Sequence, residues 1–144
     1  MAFLGNHFIQ NEKTKRYLRA TNDIETGSKL ETAAAPQELG QAYKFHLRTV
    51  TGEQVKFTSS YRSLVAGVGN QGNPKNSALV WKNGEHVFRV TQIAAGDTQY
   101  NIRLTSQDNL YWFDSVAPDH PDPTVILKEG DDTNRTIWRL IPAA

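Results

Sequence analysis

The side chains of this sequence whose placement could do chemistry are carboxylates, amides and aromatic rings rather than nucleophiles or metal ligands. Asp114 follows Trp112 by two residues at the end of an apolar run, and His120, Lys128 and Asn134 lie in nearby segments. A carboxylate or amide accepts hydrogen bonds from vicinal hydroxyls, and an aromatic ring offers its face to the C–H side of a sugar ring, so this set has the chemistry of saccharide recognition. A second group gathers Asn70, Asn73, Asn83 and His86 around Trp81, and a third consists of Asn22 and Asp23. Each group has a plainer reading too. Asp114 could bond its own backbone in a turn, Trp112 could belong to a core, and the asparagines could be ordinary loop chemistry.

Catalytic patterns are thin. The four histidines, His7, His46, His86 and His120, fall in separate segments, and neither a Gly-x-Ser-x-Gly elbow nor an HExxH helix occurs. Gly67, Gly69 and Gly72 lack the Lys-Ser/Thr that completes a phosphate loop, and the adjacent Asp131 and Asp132 read as a solvated turn. The chain has no cysteine, which removes disulfides, thiolate metal sites and a cysteine nucleophile. A binding protein that needs no cofactor and no metal is expected, not an enzyme.

The elements that must position these groups are strands. Residues 7–10, 16–19, 55–58, 63–66, 100–104 and 110–113 each alternate or run apolar over a few positions, joined by short polar turns. Residues 67–76, rich in Gly and Asn, and the proline-broken residues 117–123 read as loops. Only residues 31–39 have a helical look, and Pro36 interrupts them. Three sets of apolar residues then recur along the chain. Ile9, Phe57 and Leu104 open three copies, Leu30, Leu79 and Val125 follow, and Phe45, Phe88 and Trp138 close them, at spacings of about 47 residues. Three units are too few for a propeller, whereas a plain two-sheet sandwich would have to reach the same spacing by accident. Twelve short strands in three equivalent units are best satisfied by a closed barrel capped by hairpins, the all-β β-trefoil, with repeats over residues 7–52, 53–98 and 99–144 of one domain spanning residues 1–144.

The stretch TVILKEGDDTNRTIWRL resembles the last repeat of mushroom β-trefoil lectins of the ricin-B type, in which an apolar strand, an acidic turn with Asn and a tryptophan close the domain. The resemblance implies glycans as partners, with galactose or N-acetylgalactosamine-type sugars bound at shallow, unequal sites. It assigns the sugar-binding aspartate to Asp114, eleven residues before Val125, and puts Arg19 and Val68 at the same count in the other copies. Tyr43, His86 and Thr136 stand two residues before the closing aromatic, where that family carries Gln. The β-trefoil protease inhibitors are therefore the second reading, with residues 69–76 or 117–123 as the inserting loop.

Charge narrows the partners further. Charged residues are 22% of the chain, their signs are mixed and the formal net charge is +1, so neither nucleic acid nor an anionic membrane is expected. No apolar stretch is long enough to span a bilayer. The first residues, MAFLGNHFIQ, lack a signal peptide's basic start and apolar run, which predicts a cytoplasmic protein and an unused acceptor at Asn134-Arg135-Thr136. Weak single sites would gain avidity from one another or from a homodimer.

Overall fold

The computed structural model describes residues 2–94, 98–116, 123–130 and 135–143. The described residues form twelve strands: β1 (Leu4–Asn11), β2 (Tyr17–Arg19), β3 (Glu31–Ala33), β4 (Phe45–Thr51), β5 (Gln54–Ser59), β6 (Val65–Val68), β7 (Leu79–Lys82), β8 (Phe88–Gln92), β9 (Gln99–Arg103), β10 (Leu110–Asp114), β11 (Val125–Glu129) and β12 (Ile137–Pro142). The segment with the helical look holds β3 and, beyond Pro36, only a 3-10 turn at Gln41–Tyr43.

Six strands close on themselves. β1 pairs with β4, β4 with β5, β5 with β8, β8 with β9, β9 with β12 and β12 with β1, all antiparallel, so every strand of this barrel has a neighbour on both sides. The hairpins β2–β3, β6–β7 and β10–β11 branch from β1, β5 and β9 through the pairs Gln10 with Tyr17, Thr58 with Val65 and Arg103 with Tyr111. They then meet one another. Leu30 N donates to Leu79 O at 2.9 Å, Val125 N donates to Leu30 O at 2.9 Å, and Leu127 N donates to Ser77 O at 3.0 Å. A six-stranded barrel with three mutually bonded hairpins over one end is the β-trefoil.

Strand pairing fixes the threefold equivalences. Phe45, Phe88 and Trp138 are all buried, as are Leu30, Leu79 and Val125, in keeping with the sequence repeat. The opening set needs a correction. Leu47 faces Phe57, Val90 faces Ile102 and Leu140 faces Ile9, so Ile102, not Leu104, is the partner of Ile9 and Phe57. Strand alternation puts Ile102 and Leu104 on the same inward face, and only pairing distinguishes them.

Inside the cap, large and small residues trade places between hairpins. Leu18 faces Thr32, Ala66 faces Trp81 and Trp112 faces Leu127. Trp81 is stacked on Phe45 at 5.6 Å between ring centres, while Trp112 lies against Phe57, Phe88 and Trp138 at 4.9, 5.2 and 6.1 Å. Trp138 Nε1 donates to the Trp112 carbonyl at 3.0 Å. Volume is thus shared across the threefold axis, and no repeat packs alone. Truncating Phe45, Phe88 or Trp138 to Ala removes a fully packed ring from the core, and each change is expected to cost about 3–5 kcal/mol in denaturant unfolding. A loss under about 1 kcal/mol at two of the three would refute their equivalence.

Candidate functional site

The third copy does not present its expected ligand set. Asp114 ends β10 opposite Val125 and is 0% exposed. Its Oδ2 accepts from Thr14 Oγ1 at 2.6 Å, its Oδ1 accepts from Thr32 Oγ1 at 3.1 Å and from Val116 N at 3.3 Å, and Thr32 Oγ1 in turn accepts from Arg16 Nε at 3.0 Å. Asp114 therefore ties the third repeat to the first and is no surface acceptor for a sugar. Its equivalents in the other hairpins are Val68, opposite Leu79, and Ala20, one step beyond the pair of Arg19 with Glu31, so the aspartate occupies an otherwise apolar position. Burial pushes its carboxyl above the usual carboxylate range, against the opposing pull of the Thr14, Val116 and Thr32 hydrogen bonds and the Arg16 charge. Trp112 and Trp81 are fully buried and cannot serve as platforms. Lys128 places its ammonium 4.5 Å from the centre of the Phe113 ring, and Arg135 lies 5.9 Å from it, so cations cover the outer face of this hairpin. His120 and Asn134 lie outside the described residues.

The outward faces of the three hairpins differ because their equivalent positions differ. Phe113 with Ile126 in the third corresponds to Gly67 with Val80 in the second and to Arg19 with Glu31 in the first. At Gly67 the place of the missing side chain is taken by neighbours. A Cβ there would come within 2.8 Å of Lys82 Cδ and 3.4 Å of His86 Cγ, so glycine lets both side chains lie against the strand. Lys82 Nζ donates to the Val68 carbonyl at 3.3 Å. Gly67 lines a cleft of about 440 Å³ whose polar lining includes Gln71, Glu85, His86, Ser106 and Gln107. His86 Nε2 donates to the Asn83 carbonyl at 3.0 Å, which in the neutral ring leaves Nδ1 as an acceptor. Lys56 pairs with Glu85 at 2.8 Å and holds its carboxyl below the usual range, so Glu85 is an ionised acceptor.

Of the second copy's expected residues, only His86 lines this cleft. Asn70 and Asn73 are exposed in the loop beside Gln71, with Asn70 Oδ1 accepting from Asn73 N at 3.0 Å, and Asn83 Nδ2 donates to Thr26 Oγ1 at 3.1 Å. The proline of that loop, Pro74, turns inward and is buried.

In the first copy, Asn22 and Asp23 are exposed. Asp23 belongs to a wider cleft of about 600 Å³ between β2, β3 and the loop joining them, with Arg16, Arg19, Lys29 and Glu31 on its walls. The Thr21 hydroxyl, ahead of the residue's own backbone N–H and the Arg19 and Arg62 charges, holds the Asp23 carboxyl below its usual range. Among the described residues neither cleft has an aromatic platform of Trp or Tyr. Gln71, Glu85, Ser106 and Gln107 escaped the sequence reading, as did Arg16, Arg19, Lys29 and Glu31. The outward positions of β2 and β3 were legible from alternation. The meeting of His86 with Ser106 and Gln107 was not, since it follows from barrel closure.

No protein-family model matches the sequence, and no curated protein sequence is similar to it. Solved structures do match. A designed threefold-symmetric protein, ThreeFoil, superposes with a TM-score of 0.82 at 13% identity, over 96% of this chain and 99% of its own. A ricin B-like lectin of Macrolepiota procera in complex with lactose gives 0.80 at 13% identity, over 99% of each chain. The Rhizoctonia solani agglutinin gives 0.79 at 17% identity, over 97% of this chain and 96% of its own. At these identities the likeness is one of fold, and it places the chain among β-trefoil structures.

The buried carboxylate generates a test in stability. Asp114→Ala leaves the Thr14 and Thr32 hydroxyls and the Val116 amide without their acceptor and is expected to cost about 1–3 kcal/mol. Because the folded-state carboxyl titrates above its unfolded value, the folded protein binds the proton more readily. Its contribution is therefore full at low pH and declines as pH rises from the ordinary carboxylate range through the raised value. Urea unfolding of wild type and Asp114→Asn across that window should show the deficit of the variant shrinking as pH rises. A deficit that grows with pH would contradict the assignment.

Proposed function

We propose that this chain is a lectin that binds glycans through clefts on the outward faces of its hairpins, with a neutral galactose or N-acetylgalactosamine-type sugar held in the cleft over Gly67. The observation that carries the reading is the composition of that cleft. Gln71, His86, Ser106 and Gln107 supply donors and acceptors, Glu85 supplies a charged acceptor, and Val68 and Val87 supply apolar surface, around a volume of about 440 Å³ that accommodates one or two sugar rings. Vicinal hydroxyls need paired donors and acceptors of this kind, and the imidazole of His86 offers the flat ring that a sugar's C–H face requires. The lactose complex of the Macrolepiota procera lectin supports the reading, since a β-trefoil of the same size there holds a galactose-containing disaccharide. Nothing favours the loop-inhibitor alternative. In the loop at residues 69–76 the proline is turned inward, and Asn76 N is tied to the Leu127 carbonyl at 2.7 Å, while residues 117–122 lie outside the described residues.

Calorimetric titration with lactose and N-acetylgalactosamine tests the site. His86→Ala and Gln107→Ala are each expected to weaken binding about tenfold, the equivalent of about 1.4 kcal/mol for one lost hydrogen bond. Thermal melts should match wild type, because both side chains lie outside the core. Failure of the wild-type protein to bind any saccharide on a glycan array would overturn the lectin reading.

A further inference from the structure

We infer that the cleft of the first repeat takes an anionic saccharide, a glycan carrying a carboxylate or a sulfate beside its hydroxyls. This inference rests on the lectin reading and assigns a ligand class to a different cleft. Among the described residues its walls carry three cations, Arg16, Arg19 and Lys29, against two carboxylates, Asp23 and Glu31. Arg16 is fixed in place, with Nε donating to Thr32 Oγ1 at 3.0 Å and Nη2 donating to the Thr32 carbonyl at 2.7 Å, so little side-chain freedom remains to be lost on binding. Arg19 and Lys29 are exposed, and neither belongs to an ion pair among the described residues, even though Arg19 stands directly across the hairpin from Glu31.

Among the described residues the walls also lack an aromatic ring. Their apolar part is Ile24, Ala33 and Pro123, so a neutral hexose would find no aromatic face to cover its C–H side. Charge-assisted hydrogen bonds from guanidinium and ammonium groups to a carboxylate or sulfate replace that contribution, and they are about twice as strong as neutral ones. Asp23 and Glu31 then have a separate task. Asp23 already accepts from Thr21, and Glu31 has no partner among the described residues, which suits both to accept from the sugar's hydroxyls while the cations hold its anion.

Calorimetric competition at constant ionic strength, with 3′-sialyllactose, 3′-sulfolactose, lactose and inorganic sulfate as probes, decides the matter. The expected result is that one or both charged saccharides bind at least tenfold more tightly than lactose and that inorganic sulfate competes poorly. Preference for sialyllactose identifies the carboxylate as the recognised anion, and preference for sulfolactose identifies the sulfate. The double variant Arg19→Gln, Lys29→Gln should lower the ratio of charged to neutral affinity at least tenfold, and a thermal melt should confirm that it folds. Lactose binding with no preference for the charged forms, a ratio unchanged in the variant, or sulfate competing as well as the sulfated sugar would each overturn this inference and leave the lectin reading standing. Binding to none of the saccharides, neutral or charged, would overturn both.

Discussion

The bonds that the hairpins make to one another, Leu30 to Leu79 and Val125 to Leu30, are what the rest of the molecule depends on. A lone hairpin of three- to five-residue strands is unstable in water because its edges and its one apolar face both stay exposed. Here each hairpin satisfies a neighbour's backbone, and the second and third hand a tryptophan to a neighbour's core. Trp81 lies on Phe45 of the first repeat, and Trp112 lies on Phe57 and Phe88 of the second. Asp114 adds a polar version of the same exchange, reaching Thr14 and Thr32 across the boundary between third and first repeats.

Because the inward residues are committed to this exchange, variation is left to the outward positions. Two strand positions per hairpin separate three surfaces: a cation-covered aromatic at Phe113, a polar cleft over Gly67 and a charged cleft beside Arg19. Threefold symmetry of the backbone thus coexists with three chemically distinct faces. Such a scaffold can offer unlike ligands at sites held in fixed mutual orientation.

The architecture was legible in the sequence to the extent that core positions repeat in kind. Phe45, Phe88 and Trp138 are large, apolar and recur once per copy, and burial demands that of them at every copy. Leu104 misled because alternation alone cannot tell it from Ile102, and the pairing with Val90 that separates them is a property of the barrel. Asp114 misled for a different reason. A carboxylate at the end of an apolar strand has the sequence appearance of a binding residue whether it faces solvent or the core. The partners that bury it, Thr14 and Thr32, lie 100 and 82 residues away. The clefts were hidden in the same way, since Gly67, His86 and Gln107 acquire a common purpose only once β8 and β9 are side by side.

The pairing of β1 with β12 joins residues from opposite ends of the chain, His7 with Pro142 and Asn11 with Trp138. Until β12 is seated, β1 and β9 each keep an unpaired edge and Trp112 lacks the ring of Trp138 against it. The final strand therefore completes the sheet and the core in one event, after the longest loop closure the chain has to make. High contact order of this kind slows folding, and it also makes the finished ring hard to open piecemeal, since releasing β12 exposes two edges and the aromatic centre together.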